Sequence, residues 1–338
     1  MTKQRVSVGV ISAGGWGTAL AIAANRAGSK VTLYTANPNV LESILQKRSN
    51  ETYLPGVFVE PGIGVTSSIA EACSNDIIIV SVPAQYMRST CIGLSDHIET
   101  AKPVVIATKG IERVSLSLMS EVVAAVLPKN PFAILSGPNF AAEVGKGQPS
   151  ATTIACLDKT LANQLVFAIG GKYFRPYYTD DVIGTQVGGA VKNVIAIACG
   201  IALGRGFGEN ARAALITRGI NEMARLCVAV GGKQETLMGL SGFGDLVLTC
   251  GSAVSRNMSL GIELGQQKNT VKEILDNRQK KLAEGVATSE SVAELANKMG
   301  VSMPICKTVR DIVSETVPID RAIQLLLERQ FVPEIGKF

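Results

Sequence analysis

An α/β fold, with a doubly wound, mostly parallel sheet followed by an all-helical second part, is predicted by three observations. Short apolar runs alternate with helical stretches from Val6 to about Tyr178. Several of those runs are apolar at consecutive positions, as strands covered by helices on both faces must be. After Asp180 the strand signal fades and only helical stretches follow. Strand and helix in alternation form a parallel sheet. The 338 residues suit two domains at about 150 residues each, with expected bounds 1–180 and 181–338.

Taken in order, the strand candidates are "VSVGVI", "KVTLYT", "DIIIVSV", "PVVIAT", "FAILS", "ATTIAC" and "KYFRPYY". Helical stretches lie between them, among them Gly17 to Ala27 and Leu116 to Leu127. In the second part, residues 181–204, 211–230, 255–266, 271–276, 288–299 and 320–329 suit helices. Their breaks are rich in Gly or Pro: "GRGFGEN", "VGGK", "GLSGFGD", "VSMP" and "TVPID".

Composition removes several classes of function. With 46% hydrophobic and 18% charged residues, extended disorder is excluded. The net charge of +5 is mild and scattered. Basic pieces such as "NRQKKL" read as solvated faces, so nucleic acid is not expected. The chain has one His, His97, in "LSDHIET", the polar end of a helix. A His-rich zinc site or a Ser-His-Asp triad has no other His to draw on. The seven Cys stand at least 18 residues apart, without metal spacing. They read as reduced core residues of a cytoplasmic protein. The apolar N-terminal stretch imitates a signal peptide but is broken by Gly14, Gly15 and Gly17, so export is not expected. The charge-free run Val194 to Leu203 is too short for a membrane span of ~20 residues.

The first strand runs into "VISAGGWGTALA". Aligned to G-x-G-x-x-G, the three positions are Ser12, Gly14 and Gly17. Gly14 would admit a pyrophosphate close to the backbone, and Gly17 would let the helix pack on the strand. The helix N-terminus adds free N–H groups and a positive dipole end. The expected role of 1–180 is therefore dinucleotide binding in a Rossmann-type domain. Ser12 departs from the pattern, because its Cβ must fit the tight first turn. The second strand ends "LYTANPN", where Thr35, Ala36 and Asn37 offer neither the acid of an NAD site nor the Arg of an NADP site. NAD and NADP both stay open.

Three lone charges stand out. Lys192 is the only charge between Asp181 and Arg205, in a helix apolar nearly all round. A buried ammonium is costly and its pKa falls. It is either a paired structural Lys or a general acid. Gly184, Gly188 and Gly189 beside it would admit another backbone or a ligand. Asp245, the only charge between Glu235 and Arg256, is either a helix N-cap or an anionic partner for Lys192. Lys109 closes the fourth core strand, at the edge where such sheets hold ligands, unless it is an ordinary surface Lys. "SGPNF" at 136–140 is another strand-to-helix turn. "SRN" at 255–257 puts Arg256 and Asn257 at a helix start, which suits a phosphate or is simply structural.

At these residues the chain resembles the bacterial NAD(P)+-dependent glycerol-3-phosphate dehydrogenases. The segments "GGWGTALA", "ATKGIE", "SGPNFAAEV", "QVGGAVKNVIAIACGI", "NARAALITRGINEM", "GLSGFGDLVLTC", "SRN" and "EGVATS" occur in family order across most of residues 6–300. The resemblance implies a Rossmann domain and a helical substrate domain. It implies NAD(P)-dependent interconversion of dihydroxyacetone phosphate and sn-glycerol 3-phosphate, for phospholipid synthesis in the cytoplasm. It makes Lys192 the catalytic Lys and places Lys109 against substrate and cofactor. Gly137, Asn139, Asp245, Ser255, Arg256 and Asn257 match substrate positions. Gly14, Gly15, Trp16, Gly17, Ala141, Arg256, Leu282 and Glu284 match cofactor positions. Ser12 stands where the family has its first Gly, Ala36 where many members have Arg or His, and Asn139 where Ser or Thr is frequent. Two alternatives stay open: a related dehydrogenase for another hydroxy or keto acid, and a nucleotide-binding protein without turnover. A homodimer is an open expectation, since apolar helices serve as core or as interface.

Overall fold

A computed structural model of the chain describes residues 6–278 and 283–330. Ten strands are present among them: β1 (Ser7–Ile11), β2 (Lys30–Tyr34), β3 (Ser49–Asn50), β4 (Leu54–Phe58), β5 (Ile63–Thr66), β6 (Ile77–Val80), β7 (Val104–Ile106), β8 (Phe132–Ser136), β9 (Ser150–Ala155) and β10 (Phe174–Thr179). Eight of them form one sheet in the order β10-β9-β8-β7-β6-β1-β2-β5. All neighbours are parallel except β8 and β9, so β9 and β10 run against the rest. The order reverses between β1 and β6, and the crevice beyond the carboxyl ends there is where open α/β sheets bind ligands.

Alternate residues of each strand enter opposite cores. Val8, Val10, Leu33, Ile77 and Ile79 join one apolar cluster, while Ile11, Ile78, Val80, Val104 and Ile106 join the other. Full burial of each such side chain contributes about 1.5–3 kcal/mol. The helix Gly15–Arg26 covers the first face through Leu20 and Ile22. Met87 and Val122 come from the helices Met87–Ser95 and Met119–Val126 and cover the second.

All seven strand candidates of the sequence are present, and the structure adds β3, β4 and β5. β3 and β4 form a two-stranded antiparallel pair, and β5 extends the edge beside β2.

Beyond Thr179 the described residues hold helices and turns. The helix Val182–Gly204 is the hub of a third apolar cluster, and Val187, Val191, Val194 and Ile195 are fully buried. It is long and apolar enough to cross a membrane by length and composition, but it lies inside the protein. Around it pack Glu209–Ala229, Asp245–Cys250, Arg256–Gln266, Glu284–Lys298 and Pro304–Val313. The last of these begins at the Pro of "VSMP", which the sequence read as a break. Pro304 sits in the helix's first turn, where a missing N–H costs nothing.

Candidate active site

The glycine turn opens at the carboxyl end of β1. Gly14 is the N-cap of the helix Gly15–Arg26 and contributes no side-chain cap, so the first-turn N–H groups stay available. A Cβ on Gly17 would lie 1.9 Å from Ser12 O, and one on Gly15 would lie 2.7 Å from Tyr53 O. Both positions demand glycine. Ala141, which opens the helix Ala141–Gly145, lies across from Gly15, within 3.9 Å of that Cβ position. The turn keeps its form with Ser12 in the first glycine's place, at φ +89°. Trp16 packs edge-on against Phe174, ring centres 6.5 Å apart.

The same edge carries buried polar atoms without a protein partner among the described residues. They include Trp16 Nε1, Ser136 Oγ and Asn139 Oδ1. Asn139 Nδ2 donates to Ala151 O at 2.8 Å, which fixes the amide and leaves its oxygen unspent. Orphaned atoms and a glycine-only cradle along one sheet edge are features that a bound dinucleotide would satisfy.

Lys192 reaches this edge from the buried helix. That helix is capped by Asp181, whose carboxylate accepts from Gly184 N and Lys233 N, both at 2.9 Å. A Cβ on Gly188 would meet Ser241 O at 2.5 Å, and one on Gly189 would meet Ser136 Oγ at 2.7 Å and the Lys109 stem at 3.4 Å. These glycines let the "GLSGFG" turn and the sheet edge close on the helix, one turn before Lys192.

Lys192 Nζ donates to Asp245 Oδ1 at 2.6 Å and to Thr249 Oγ1 at 2.7 Å. Lys109 Nζ donates to the other carboxylate oxygen, Oδ2, at 2.6 Å, and to Gly137 O at 3.1 Å. Asp245 opens the helix Asp245–Cys250, yet it is the partner of Lys192 rather than a cap. The three side chains are 8% (Lys192), 1% (Asp245) and 15% (Lys109) exposed. An ammonium has three donors, so each Lys keeps one unspent. Burial lowers the Lys192 pKa to about 8, with Asp245 opposing the shift and Lys109 adding to it.

Arg256 opens the helix Arg256–Gln266, exposed, and its guanidinium has no bond or ion pair among the described residues. Ser255 is buried and caps that helix by accepting from Met258 N at 3.3 Å. Asn257 joins three helices: its Nδ2 donates to Asn193 Oδ1 at 3.0 Å, and its Oδ1 accepts from Gly285 N at 2.9 Å. This fixes the start of the helix Glu284–Lys298. Glu284 is half-buried there. Burial raises its carboxyl pKa, against the opposing pull of Arg256, Lys109 and Lys192. Leu282 lies outside the described residues. Thr249 and Asn193 are the site's additions to the sequence reading.

The family model for the N-terminus of NAD-dependent glycerol-3-phosphate dehydrogenase matches residues 7–162, and the model for its C-terminus matches residues 181–324. The chain belongs to this dehydrogenase family. A glycerol-3-phosphate dehydrogenase, NAD(P)+, from Caulobacter vibrioides is 47% identical over 334 residues, 99% of this chain and 100% of the relative. One from Parvibaculum lavamentivorans is 46% identical with the same coverage. The crystal structure of glycerol-3-phosphate dehydrogenase from Coxiella burnetii shares 36% identity at a TM-score of 0.91, over 96% of this chain and 99% of that one. As a member of the glycerol-3-phosphate dehydrogenases, the chain is an NAD(P)-dependent oxidoreductase acting on a CH–OH group.

Proposed function

We infer that the protein reduces dihydroxyacetone phosphate to sn-glycerol 3-phosphate with NADH or NADPH, reversibly, for glycerophospholipid synthesis. The observation that carries this is the Lys192 ammonium, buried in the helical half, clamped by Asp245 and Thr249 and meeting Lys109 from the sheet. The dinucleotide supplies the hydride when bound. The division near residue 180 then separates a cofactor half from a substrate half.

Lys192 gives its unspent proton to the C2 oxygen as the alkoxide forms, and takes a new one from solvent afterwards. Asp245 and Thr249 hold two of its donors, so the third is aimed without rotational search. Lys109 presents a second fixed ammonium to the substrate and, with Gly137 and Asn139, borders the sheet side of the site. Arg256, supported by Ser255 and Asn257 at its helix start, takes the phosphate through a planar pair of N–H donors. Glu284 and Arg256 would hold the cofactor from the helical half, and Gly15, Trp16 and Ala141 from the sheet half.

Replacing Lys192 by Ala lowers kcat by about a thousandfold, the scale of a positioned general acid. NADH still binds, seen through the fluorescence of Trp16, the only Trp. Near-wild-type kcat in Lys192→Ala overturns the assignment. A cytoplasmic location accords with seven free, buried cysteines. A homodimer is proposed on the aromatic residues left exposed beside and along edge strand β10, Tyr173, Tyr177 and Tyr178. Sedimentation equilibrium tests it.

A further inference from the structure

Ser12 is one of the few non-glycine residues with positive φ among the described residues, and the only one in the glycine turn, at φ +89°. A side chain in that region costs of order 1–2 kcal/mol. Glycine would occupy it freely. Strain held at a ligand-binding turn points from the outlier to a use for the side chain.

The hydroxyl's bonding shows what that use is. Ser12 Oγ accepts from Gly14 N, at a long 3.4 Å. A hydroxyl both donates and accepts, and Ser12 Oγ donates to no acceptor among the described residues. Its proton is therefore unspent, on a half-buried side chain at the carboxyl end of β1. Gly14, two residues on, leaves room for it: a Cβ there would still clear Ser12 Oγ by 3.6 Å. The hydroxyl thus stands beside Gly14 N, at the N-cap of the helix Gly15–Arg26, next to the first-turn N–H groups.

We propose that Ser12 is a cofactor-holding residue whose hydroxyl donates to a pyrophosphate oxygen of the bound dinucleotide. The proposal rests on the reading that this turn binds the cofactor. It makes the turn's departure from three glycines an exchange of backbone ease for a charge-assisted hydrogen bond.

Two substitutions separate the hydroxyl from the strain. Ser12→Ala removes the hydroxyl and keeps a Cβ at positive φ. Ser12→Gly removes both. Calorimetric titration uses ADP-ribose, which carries the pyrophosphate without the nicotinamide, and NADH, with Trp16 fluorescence as a second readout for NADH. Both variants bind both ligands about tenfold more weakly than wild type, the effect of one hydrogen bond to a charged group. Ser12→Gly melts at a higher temperature than wild type while binding more weakly, a combination that a loosened fold does not give. Wild-type affinity for ADP-ribose in both variants overturns the role of Ser12 and leaves the site intact. No binding of ADP-ribose or NADH to the wild-type chain overturns the cofactor reading itself, and Ser12 with it.

Discussion

One nitrogen, Lys192 Nζ, sets how the enzyme responds to pH. With its pKa lowered to about 8, it is an ammonium donor below that pH and a neutral acceptor above it. Ketone reduction needs the donor, so kcat for reduction falls as pH rises through about 8. Alcohol oxidation needs the acceptor, so its kcat rises through the same range. Initial-rate profiles in both directions at saturating substrate check this, and two profiles with the same slope would contradict it. Neighbours move the midpoint in opposite directions. Thr249→Val deletes an oxygen that accepts from the ammonium at 2.7 Å, which destabilises the charge and moves the midpoint to lower pH. Lys109→Met deletes a like charge that lowers the Lys192 pKa, and moves the midpoint to higher pH even as substrate binding weakens. Lys192 and Asp245 were legible in the sequence because a charge alone in an apolar run must be paired or functional. Thr249 and Asn193 were not, since neutral polar residues in buried helices are common and only their partners reveal them. The i,i+4 spacing of Asp245 and Thr249, which puts both on one helix face, is the signal that could have found Thr249.

Two helices owe their closeness to four glycines. A Cβ on Gly200 would lie 2.2 Å from Met258 O, and one on Gly261 2.2 Å from Ile197 O. One turn later, Gly204 and Gly265 stand 2.4 Å from Ile262 O and Ile201 O by the same measure. The helices Val182–Gly204 and Arg256–Gln266 therefore touch backbone to backbone, through "GIALG" and "GIELG". That crossing brings Asn257, next to Arg256 at the helix start, against Asn193 beside Lys192. Gly200→Ala cannot be absorbed by a side-chain rotation, because the obstacle is main chain. It lowers stability by about 1–3 kcal/mol or more and raises KM for the phosphorylated substrate more than KM for NADH. Chemical denaturation and steady-state kinetics measure both effects. Gly171→Ala, whose Cβ meets nothing within 4 Å, is the control and stays near wild type. The sequence showed β6, β7 and β8 because they are buried on both faces and read as unbroken apolar runs, and it showed β10, a largely exposed edge strand, through its Phe and Tyr residues. β5 escaped notice because it is a four-residue edge strand between Gly62 and Ser67 with Gly64 inside it. β4 carries Pro55 and Gly56, which argue against a strand unless it lies at an edge.

The three buried charges belong to neither half of the molecule alone. Asp245 and Lys192 come from the helices, Lys109 and Gly137 from the sheet, and one carboxylate is bonded to both ammonium groups. The seam between the halves is tied elsewhere too. Gln186 accepts from Ser120 N and donates to Ser120 Oγ, both at 2.9 Å, and Ser291 Oγ donates to Ile111 O at 3.2 Å. Separating the halves would break the Lys109–Asp245 bridge and the three seam hydrogen bonds together. The two halves are therefore expected to unfold together, although each has its own apolar core. Trp16 fluorescence reports the sheet half, while far-UV circular dichroism is dominated by the helices, most of which follow residue 180. Melting curves from the two probes coincide. NADH at one hundred times its Kd stabilises the folded chain by about 2.7 kcal/mol and moves both curves by the same amount, although its glycine turn lies only in the sheet half. If the Trp16 transition rises while the helical one stays in place, the Lys109–Asp245 bridge does not couple the halves. In Lys109→Met, where that bridge is gone, the two transitions draw apart.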